Sequence, residues 1–375
     1  MSSPRSIRVS DHFAQLSDPR RRKVVYPLVN VVTIAICAVI CGADDFVAIA
    51  AFGRTKKAWF AKFLDLSAGV PSHDRFNAIF AAIKPTEFAA CLASWIAALQ
   101  DAFPGQVVAI DGKTLRRSFD NASGKGALHL VSAWATANRV SLGQVAVDAK
   151  SNEITAIPKL LELLELSGCL VTIDAIACQT EIARRIVAAG ADYVLAVKKN
   201  QKKLYDDVSW FFLVNIAKNF AGVRVRRHAT TEKGHGREET REYYVCAVPR
   251  DFKPRRRWPG LAALGCVVSR VERDGKTTCQ RRYYILSRKL TAKEFAAAVR
   301  GHWGIENQLH WQLDVTFGED QSRIRRGHAD ENFSSLRRAA LTLLKNNTSL
   351  ACGVKNTRLA AGWNDDYLLE VLLGK

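Results

Sequence analysis

The pattern of hydrophobic and polar residues along the chain changes near residue 103. Between Tyr26 and Ala102 the apolar residues recur at steps of three and four, which is the period of one face of an α-helix. Pro71-Ser72 and Pro85-Thr86 interrupt this pattern in the way that helix starts do. No strand-like alternation is visible there, so we predict an all-helical N-terminal domain. Its main helices are predicted at 28–43, 47–63 and 86–99.

The pattern changes at Pro104-Gly105, after which short apolar runs replace the helical period. Strands are predicted at 107–111, 127–136, 140–147, 170–174 and 193–197, with helices at 157–166, 180–189 and 203–220. Three consecutive strands, followed by strands that alternate with helices, predict a mixed α/β sheet covered by helices. This element order matches that of a ribonuclease H-like core.

Residues 221–290 form a β-rich, basic block that interrupts the α/β pattern. Strands are predicted at 223–225, 242–248, 265–271 and 281–286, and Asp274-Gly275 favours a hairpin turn. The α/β pattern resumes at Thr291, which forms a capping box with Glu294 at the start of a helix that runs to about Leu313. A last helix is predicted at 330–345. The predicted organisation is a helical N-terminal domain (1–102), a core in two parts (103–220 and 291–350), a β-rich insertion (221–290) and a C-terminal tail (351–375).

Three carboxylates lie where a packed core is predicted to meet an open edge. Asp111 follows the apolar run Val107–Ile110, and Asp174 follows Leu170–Ile173. Glu306 shares one predicted helix face, which should point inward, with Phe295, Val299, His302, Leu309 and Leu313. An ionised carboxylate on an inward face is costly unless it is paired or binds metal. Two strand-end aspartates and one inward glutamate would form a divalent-metal site for phosphoryl transfer, with two cations about 4 Å apart.

Each carboxylate also has an ordinary structural interpretation. An aspartate after a strand often caps the next turn, and Glu306 could pair with Arg300 or His302. Asp148 also follows an apolar strand and is the main alternative to either aspartate. Asp314 is either a supporting carboxylate or a solvated residue at a helix end. The combination of all three carboxylates favours the metal site over these separate interpretations.

The charge balance restricts the class of partner. The chain has 55 Lys and Arg against 36 Asp and Glu, so its net charge is +19. Such an excess favours a polyanion, most often nucleic acid, over simple solubility charge or an acidic membrane surface. Nine scattered cysteines without a CxxC pair indicate a reducing cytoplasm. The apolar stretch 28–43 is too short for a membrane span, so no membrane association is predicted.

Three motifs resemble those of DDE transposases from bacterial insertion sequences. Ala109–Arg116 (AIDGKTLR) resembles their first-aspartate motif, and Val171–Ala175 (VTIDA) resembles the second. His302–Val315 (HWGIENQLHWQLDV) resembles the glutamate motif of the branch that includes the H-repeat-associated proteins. Further similar blocks extend the resemblance over most of the chain, at 18–20, 26–28, 42–43, 69–72, 194–201 and 234–237.

The resemblance implies a transposase that cleaves DNA and transfers strands. Asp111, Asp174 and Glu306 would hold two Mg²⁺ ions, which Mn²⁺ can replace. The implied partners are double-stranded DNA, at transposon ends and at the target, and further copies of the chain in a homodimer or higher multimer. The helical domain and the basic arm at 1–25 would grip the ends, in a bacterial cytoplasm at the nucleoid. A two-metal nuclease without strand transfer, and a domesticated DNA-binding protein that does not cut, are the alternatives.

One departure from a sister branch affects the expected phosphate contacts. That branch has Tyr, Arg and Lys at fixed offsets from its glutamate, where this chain has Val299, His302 and Leu313. The phosphate-gripping role is then expected of Arg300, His302 or neighbouring basic residues. The residues predicted to contact DNA are Lys113, Arg116, Lys198, Lys199, His235, Arg237, Arg255, Arg256, Arg257, Arg300, His302, Arg325 and Arg326. A solvated surface is the alternative for the arginine clusters and for His235.

Overall fold

The computed structural model describes residues 8–21, 24–99, 106–119, 124–147, 151–234 and 236–374. The chain forms two compact units. Unit 1 contains Met1–Phe103, Gly112–Ser151 and Glu306–Lys375, and unit 2 contains Pro104–Asp111 and Asn152–Ile305. These units cut across the five-part division predicted from the sequence, because the N-terminal and C-terminal helices pack within one unit.

The described residues form fourteen α-helices and nine strands. The helices are α1 (Val9–Phe13), α2 (Leu28–Ile40), α3 (Phe46–Thr55), α4 (Lys57–Phe60), α5 (His73–Ala82), α6 (Pro85–Ala98), α7 (Glu153–Glu162), α8 (Thr180–Ala188), α9 (Lys202–Ala217), α10 (Ala292–Gly304), α11 (Trp311–Val315), α12 (Ala329–Asn346), α13 (Val354–Trp363) and α14 (Asp365–Leu372). The strands are β1 (Val107–Thr114), β2 (His129–Ala135), β3 (Val140–Ala146), β4 (Leu170–Ile173), β5 (Asp192–Val197), β6 (Val225–Gly234), β7 (Arg237–Ala247), β8 (Ala263–Arg273) and β9 (Lys276–Leu286).

The N-terminal part of unit 1 is helical in all its described elements, as predicted. Helix α2 is buried along nearly its whole length, and Gly42 ends it with φ +107, a conformation that favours glycine. The helix predicted at 47–63 is broken into α3 and α4 at Lys56. Within the described ranges, no single helix is long and apolar enough to cross a membrane. Only α5 and α6 taken together pass that test, and they are bent by 99°.

Helix α12 forms the centre of unit 1. Fifteen of its 18 residues are buried, and it packs against α2, α5, α6 and β3. The Asn332 side-chain amide donates to the carbonyls of Phe80 and Ile83, at 2.8 and 3.0 Å, and so fixes α12 at the end of α5. The segment predicted as a C-terminal tail contains the helices α13 and α14.

The strands follow the predicted mixed topology. In unit 2 the order of hydrogen-bonded neighbours is β1-β4-β5-β9-β8-β7-β6. The β1/β4 and β4/β5 pairs are parallel, and the pairs from β5 to β6 are antiparallel. In unit 1, β2 neighbours both the end of β1 and its antiparallel partner β3. Around the shared strand β1 this is the order of a ribonuclease H-like sheet, so the predicted fold class is confirmed.

The β-rich insertion extends this sheet through β6 to β9, and its strands are longer than predicted. Each has 10 or 11 residues. The hairpin between β8 and β9 turns at Asp274 and Gly275, with φ angles of +51° and +72°. Positive φ at both central residues matches the predicted Asp-Gly turn.

Helix α10 is held against the sheet of unit 2 by its first turns. Its N-terminus has the predicted capping box, because Thr291 and Glu294 bond reciprocally to each other's backbone N–H. The fully buried Phe295 ring lies over Gly265, where a β-carbon would be only 2.7 Å from the ring. Its edge also contacts Tyr284, with ring centroids 5.3 Å apart. This packing fixes the position of His302 farther along α10.

Candidate active site

Two of the three predicted carboxylates lie at one edge of the sheet in unit 2. Strands β1 and β4 are parallel, and their pairing ends with Ile110 opposite Ile173. Asp111 and Asp174 are the next residues on the two strands, and both side chains are partly exposed. Because the two strands are parallel and their pairing stops at Ile110 and Ile173, the two aspartates follow neighbouring positions of the sheet. Strand β1 itself continues to Thr114, so Asp111 lies within it and not at its end.

The carboxylate of Asp174 has polar neighbours and is accessible to solvent. One oxygen accepts the Ile176 backbone N–H at 2.5 Å. The other lies 3.8 Å from the Lys198 ammonium, which is 72% exposed. The segment after Lys198 is fixed next to this loop, because the Asn200 side chain donates to the Ala175 carbonyl at 2.5 Å. The structure thus places an exposed cation beside one of the two aspartates.

The two basic residues expected to bind phosphate near Glu306, His302 and Arg300, instead form hydrogen bonds to other groups of the protein. The His302 ring Nδ1 lies 3.1 Å from the Thr172 hydroxyl. Burial lowers the pKa of His302, and the negative charge of Asp174 opposes this only in part, so the imidazole is neutral at neutral pH. The Arg300 guanidinium donates to both oxygens of Glu232, at 2.9 and 3.2 Å. By contrast, Lys198, which lies 3.8 Å from Asp174, and the next residue, Lys199, are both exposed.

Glu306 is exposed, so its predicted inward orientation is wrong. Helix α10 ends at Gly304, and a π-helical turn follows at Ile305–His310. A π-helical turn contains more residues than an α-helical turn, so it shifts the apolar face by about one position. Ile305 and Leu309 are fully buried there, whereas Glu306 points to solvent. Such turns occur frequently at functional sites.

Lys113 belongs to an internal ion-pair cluster of unit 1. Its side chain is buried, and its ammonium bonds to Asp314 and lies 3.5 Å from Asp320 and 3.9 Å from Glu319. Burial raises the pKa of Asp314, and Lys113 partly opposes that effect. The Lys113 ammonium is therefore occupied inside the protein and not presented to DNA. Arg116 is 83% exposed, with its Nε 3.3 Å from Asp320.

Sequence reasoning missed the centre of this cluster. Glu319 is fully buried, and its carboxylate accepts from Arg338 at 2.8 Å and from Ser334 at 2.7 Å. Arg338 itself is only 3% exposed. The available signal was the pair Arg337-Arg338 directly before the mainly apolar stretch Ala339–Leu344 of the helix predicted at 330–345. Two arginines on a buried helix require buried acidic partners.

The other predicted DNA contacts lie mainly on exposed surfaces. Arg255, Arg256 and Arg257 are all exposed in and after a short 3₁₀-helix at Lys253–Arg256. Arg237 is exposed at the start of β7, with Glu239 3.9 Å away. Arg325 is partly buried and donates to the Arg117 carbonyl, while Arg326 is exposed. The remaining predicted residues, His235 and the alternative carboxylate Asp148, lie outside the described residues.

The aspartate pair has the right ligands for a hard cation. Asp111 and Asp174 offer carboxylate oxygens, which Mg²⁺ and Mn²⁺ prefer. Among the residues that the structure describes, no group of three or more His, Cys, Asp or Glu side chains could hold a metal ion. The donor chemistry of the two aspartates therefore fits a divalent metal, while the three-carboxylate set with Glu306 remains a prediction.

Known proteins with similar sequences cover nearly the whole chain. The family model described as "Transposase DDE domain" matches residues 102–343, and the model described as "DDE_Tnp_1-associated" matches residues 10–96. YncI of Escherichia coli O157:H7 is 42% identical over 96% of this chain and 93% of its own length. The H repeat-associated YhhI of Escherichia coli K12 is 38% identical over 98% of both chains. Both carry the word transposase in their names.

A solved structure gives a weaker similarity. The piggyBac transposase in a synaptic complex with hairpin DNA superposes with a TM-score of 0.43 and 9% sequence identity, over 96% of this chain and 76% of that one. A similarity at this level carries no functional argument, so the assignment depends on the sequence matches. These matches confirm the family and the branch that the three motifs predicted. The chain belongs to the transposases with a DDE domain.

Proposed function

We propose that the protein is an insertion-sequence transposase that cleaves DNA and joins the freed 3′-end to a target, using Asp111, Asp174 and Glu306. The observation that supports this most directly is the side-by-side position of Asp111 and Asp174 after the paired residues Ile110 and Ile173. Glu306 lies on an exposed π-helical turn and supplies the third carboxylate in the proposal. The proposed site of action is the chromosome in the bacterial cytoplasm, and the proposed assembly is a homodimer or higher multimer on DNA.

The proposal assigns distinct tasks to the residues near Asp174. The three carboxylates would hold two divalent cations, Mg²⁺ or Mn²⁺. The chemistry that such a pair supplies is activation of the attacking oxygen and stabilisation of the leaving oxygen in an in-line displacement. Lys198 and Lys199 would position a phosphate at the sheet edge, since both are exposed there. His302, neutral and bonded to Thr172, would position the end of α10 and would not act as a cation.

The proposal is tested by strand transfer in defined metals. DNA that ends in the terminal repeats flanking the gene should be nicked with Mg²⁺ or Mn²⁺, and its 3′-end should be joined to a target plasmid. Ca²⁺ should support binding without efficient chemistry, because it holds its ligands at longer and looser geometry. Joined and nicked products are separated on sequencing gels. Nicking without joining would identify a nuclease, binding without nicking a domesticated DNA-binding protein, and full cleavage in excess chelator would exclude the metal mechanism.

The insertion should also contact DNA through its arginine cluster. Arg255→Gln, Arg256→Gln and Arg257→Gln combined should weaken DNA binding. The dependence of log affinity on log salt should flatten by about 0.9 for each duplex phosphate that the variant no longer neutralises. Sequence preference should change little, because phosphate contacts do not read bases. The matched control replaces three other exposed cations of unit 2 with Gln: Lys203, Lys218 and Lys293. Equal salt slopes in the triple variant and the wild type would assign these arginines to a solvated surface.

A further inference from the structure

Unit 1 contains a second candidate binding surface, a groove of about 1020 Å³. One wall is the segment Gly318–Gly327, which we call the arginine loop. The opposite wall includes Phe46 and Val47 at the start of α3, and His73 and Asn77 from the first half of α5. All lining residues belong to unit 1.

Cations outnumber carboxylates in the lining of the groove, with Lys125, Arg323, Arg325 and Arg326 against Asp44 and Asp45. Arg323 and Arg326 of the arginine loop are exposed and line the groove, and within the described part of the chain neither side chain has an ion-pair or hydrogen-bond partner. The two acidic residues of the opposite wall, Asp44 and Asp45, each have a protein partner. Asp44 accepts from Arg358 at 3.0 Å, and Asp45 caps α3 by accepting the Ala48 N–H at 2.8 Å. An anion in the groove would therefore meet two unpaired guanidinium groups.

The arginine loop is held in place by contacts on its inner side. The Lys125 ammonium donates to the carbonyls of Arg325 and Gly327, at 2.9 and 3.1 Å, and lies 2.7 Å from Asp330. The Arg325 guanidinium donates to the Arg117 carbonyl at 3.2 Å.

Close backbone contact fixes the end of the loop. Gly327 has φ +50, and a β-carbon there would be 2.5 Å from the Ala81 carbonyl oxygen. The next residue, His328, donates its N–H to the same oxygen at 3.0 Å. The two arginines are thus presented on an ordered backbone, so binding does not have to order the loop.

We propose that this groove binds the sugar-phosphate backbone of DNA through Arg323 and Arg326. Two separated arginines in an open groove suit a ligand with repeated phosphates, because guanidinium groups bind phosphate oxygens in a bidentate way. A concave groove excludes a flat lipid surface, and the net charge of +19 favours a long polyanion. The inference extends the proposed function, on which it rests, by adding a DNA contact in unit 1.

The test is DNA binding by the full chain carrying Arg323→Gln and Arg326→Gln together. Fluorescence anisotropy is measured in chelator, where no cleavage is expected, with double-stranded and single-stranded oligonucleotides over a series of salt concentrations. Affinity at low salt should fall about tenfold. For each phosphate that the variant no longer neutralises, the log–log salt slope should flatten by about 0.9 on duplex or about 0.7 on a single strand. The oligonucleotide whose slope changes identifies the form of DNA that the groove holds.

The matched control is Arg54→Gln with Lys57→Gln, which removes the same charge from exposed positions of unit 1 outside the groove. Equal decreases in affinity in the two double variants, or unchanged slopes on both oligonucleotides, would overturn the proposal. An equal decrease in binding to polyglutamate would also overturn it, because the groove would then bind any polyanion. Circular dichroism checks that the variants fold. Since this assay involves no cleavage, its outcome is independent of whether Asp111, Asp174 and Glu306 catalyse the proposed reaction.

Discussion

Asp111→Asn, Asp174→Asn and Glu306→Gln should each slow DNA cleavage by about a thousandfold or more and leave DNA binding nearly unchanged. Each substitution keeps the shape of the side chain but removes a charge proposed to bind metal, and metal binding supplies several kcal/mol of transition-state stabilisation. Cleavage is measured as single-turnover nicking of end DNA in Mg²⁺, and binding by anisotropy in Ca²⁺.

The control for these variants is Asp207→Asn, the same chemical change at an exposed position of α9. It should cut at the wild-type rate. If one of the three variants also cuts at that rate, its residue is not a member of the carboxylate set. Asp148 or Asp314 would then be the replacement to test.

Arg338→Met should lower the free energy of unfolding by about 3–5 kcal/mol, which is the range for removing one partner of a buried ion pair and leaving the other charge buried. The variant leaves the fully buried Glu319 without the guanidinium that now lies 2.8 Å from it. Urea denaturation of the variant and the wild type, with equal m-values, measures the difference. The exposed pair Arg184–Glu181 provides the control, because Arg184→Met should cost less than about 1 kcal/mol. If Arg338→Met also lowers the free energy of unfolding by less than about 1 kcal/mol, the Arg338–Glu319 pair does not stabilise the fold in the proposed way.

The same variant should show a characteristic pH dependence. Burial raises the pKa of Glu319, but the charges of Arg338, Arg337 and Lys113 outweigh it, so the net pKa is lowered. The contribution of Glu319 to wild-type stability is therefore present above the unfolded pKa of about 4.3 and is lost as the pH falls toward the folded pKa. Without Arg338, burial opposes ionisation, so the stability difference between the two proteins should grow as the pH rises from about 4 to 7.

Local chemistry made several elements predictable. The turn at Asp274-Gly275 needs positive φ at both positions, and the capping box of Thr291 and Glu294 depends only on neighbouring residues. The strands of the insertion were predicted too short for an equally local reason. In β9 only the last four residues are buried, whereas the first six are exposed and show no apolar pattern. The exposed part of β9 still forms hydrogen bonds to β8. Its sequence has no hydrophobic periodicity that would predict a strand there.

The candidate site was predictable only in part. Asp111 and Asp174 follow apolar strands, and parallel pairing is enough to bring them to one edge. The orientation of Glu306 depends on a π-helical turn, which a regular helical period cannot represent. The role of Lys113 depends on Asp314, Glu319 and Asp320, which are about 200 residues away in the chain. Long-range pairing of charged groups leaves no periodic signal in a single sequence.

The path of the chain through the two units limits how the protein can be divided. The chain changes unit four times, at Phe103/Pro104, Asp111/Gly112, Ser151/Asn152 and Ile305/Glu306. Neither unit is therefore one continuous segment of the chain, and the change at Asp111/Gly112 falls inside one strand. A gene copy truncated at either end loses part of unit 1, including helices that pack on α12 when the N-terminus is missing. Deletion from either terminus therefore removes packing partners from a shared core and does not release a separate module.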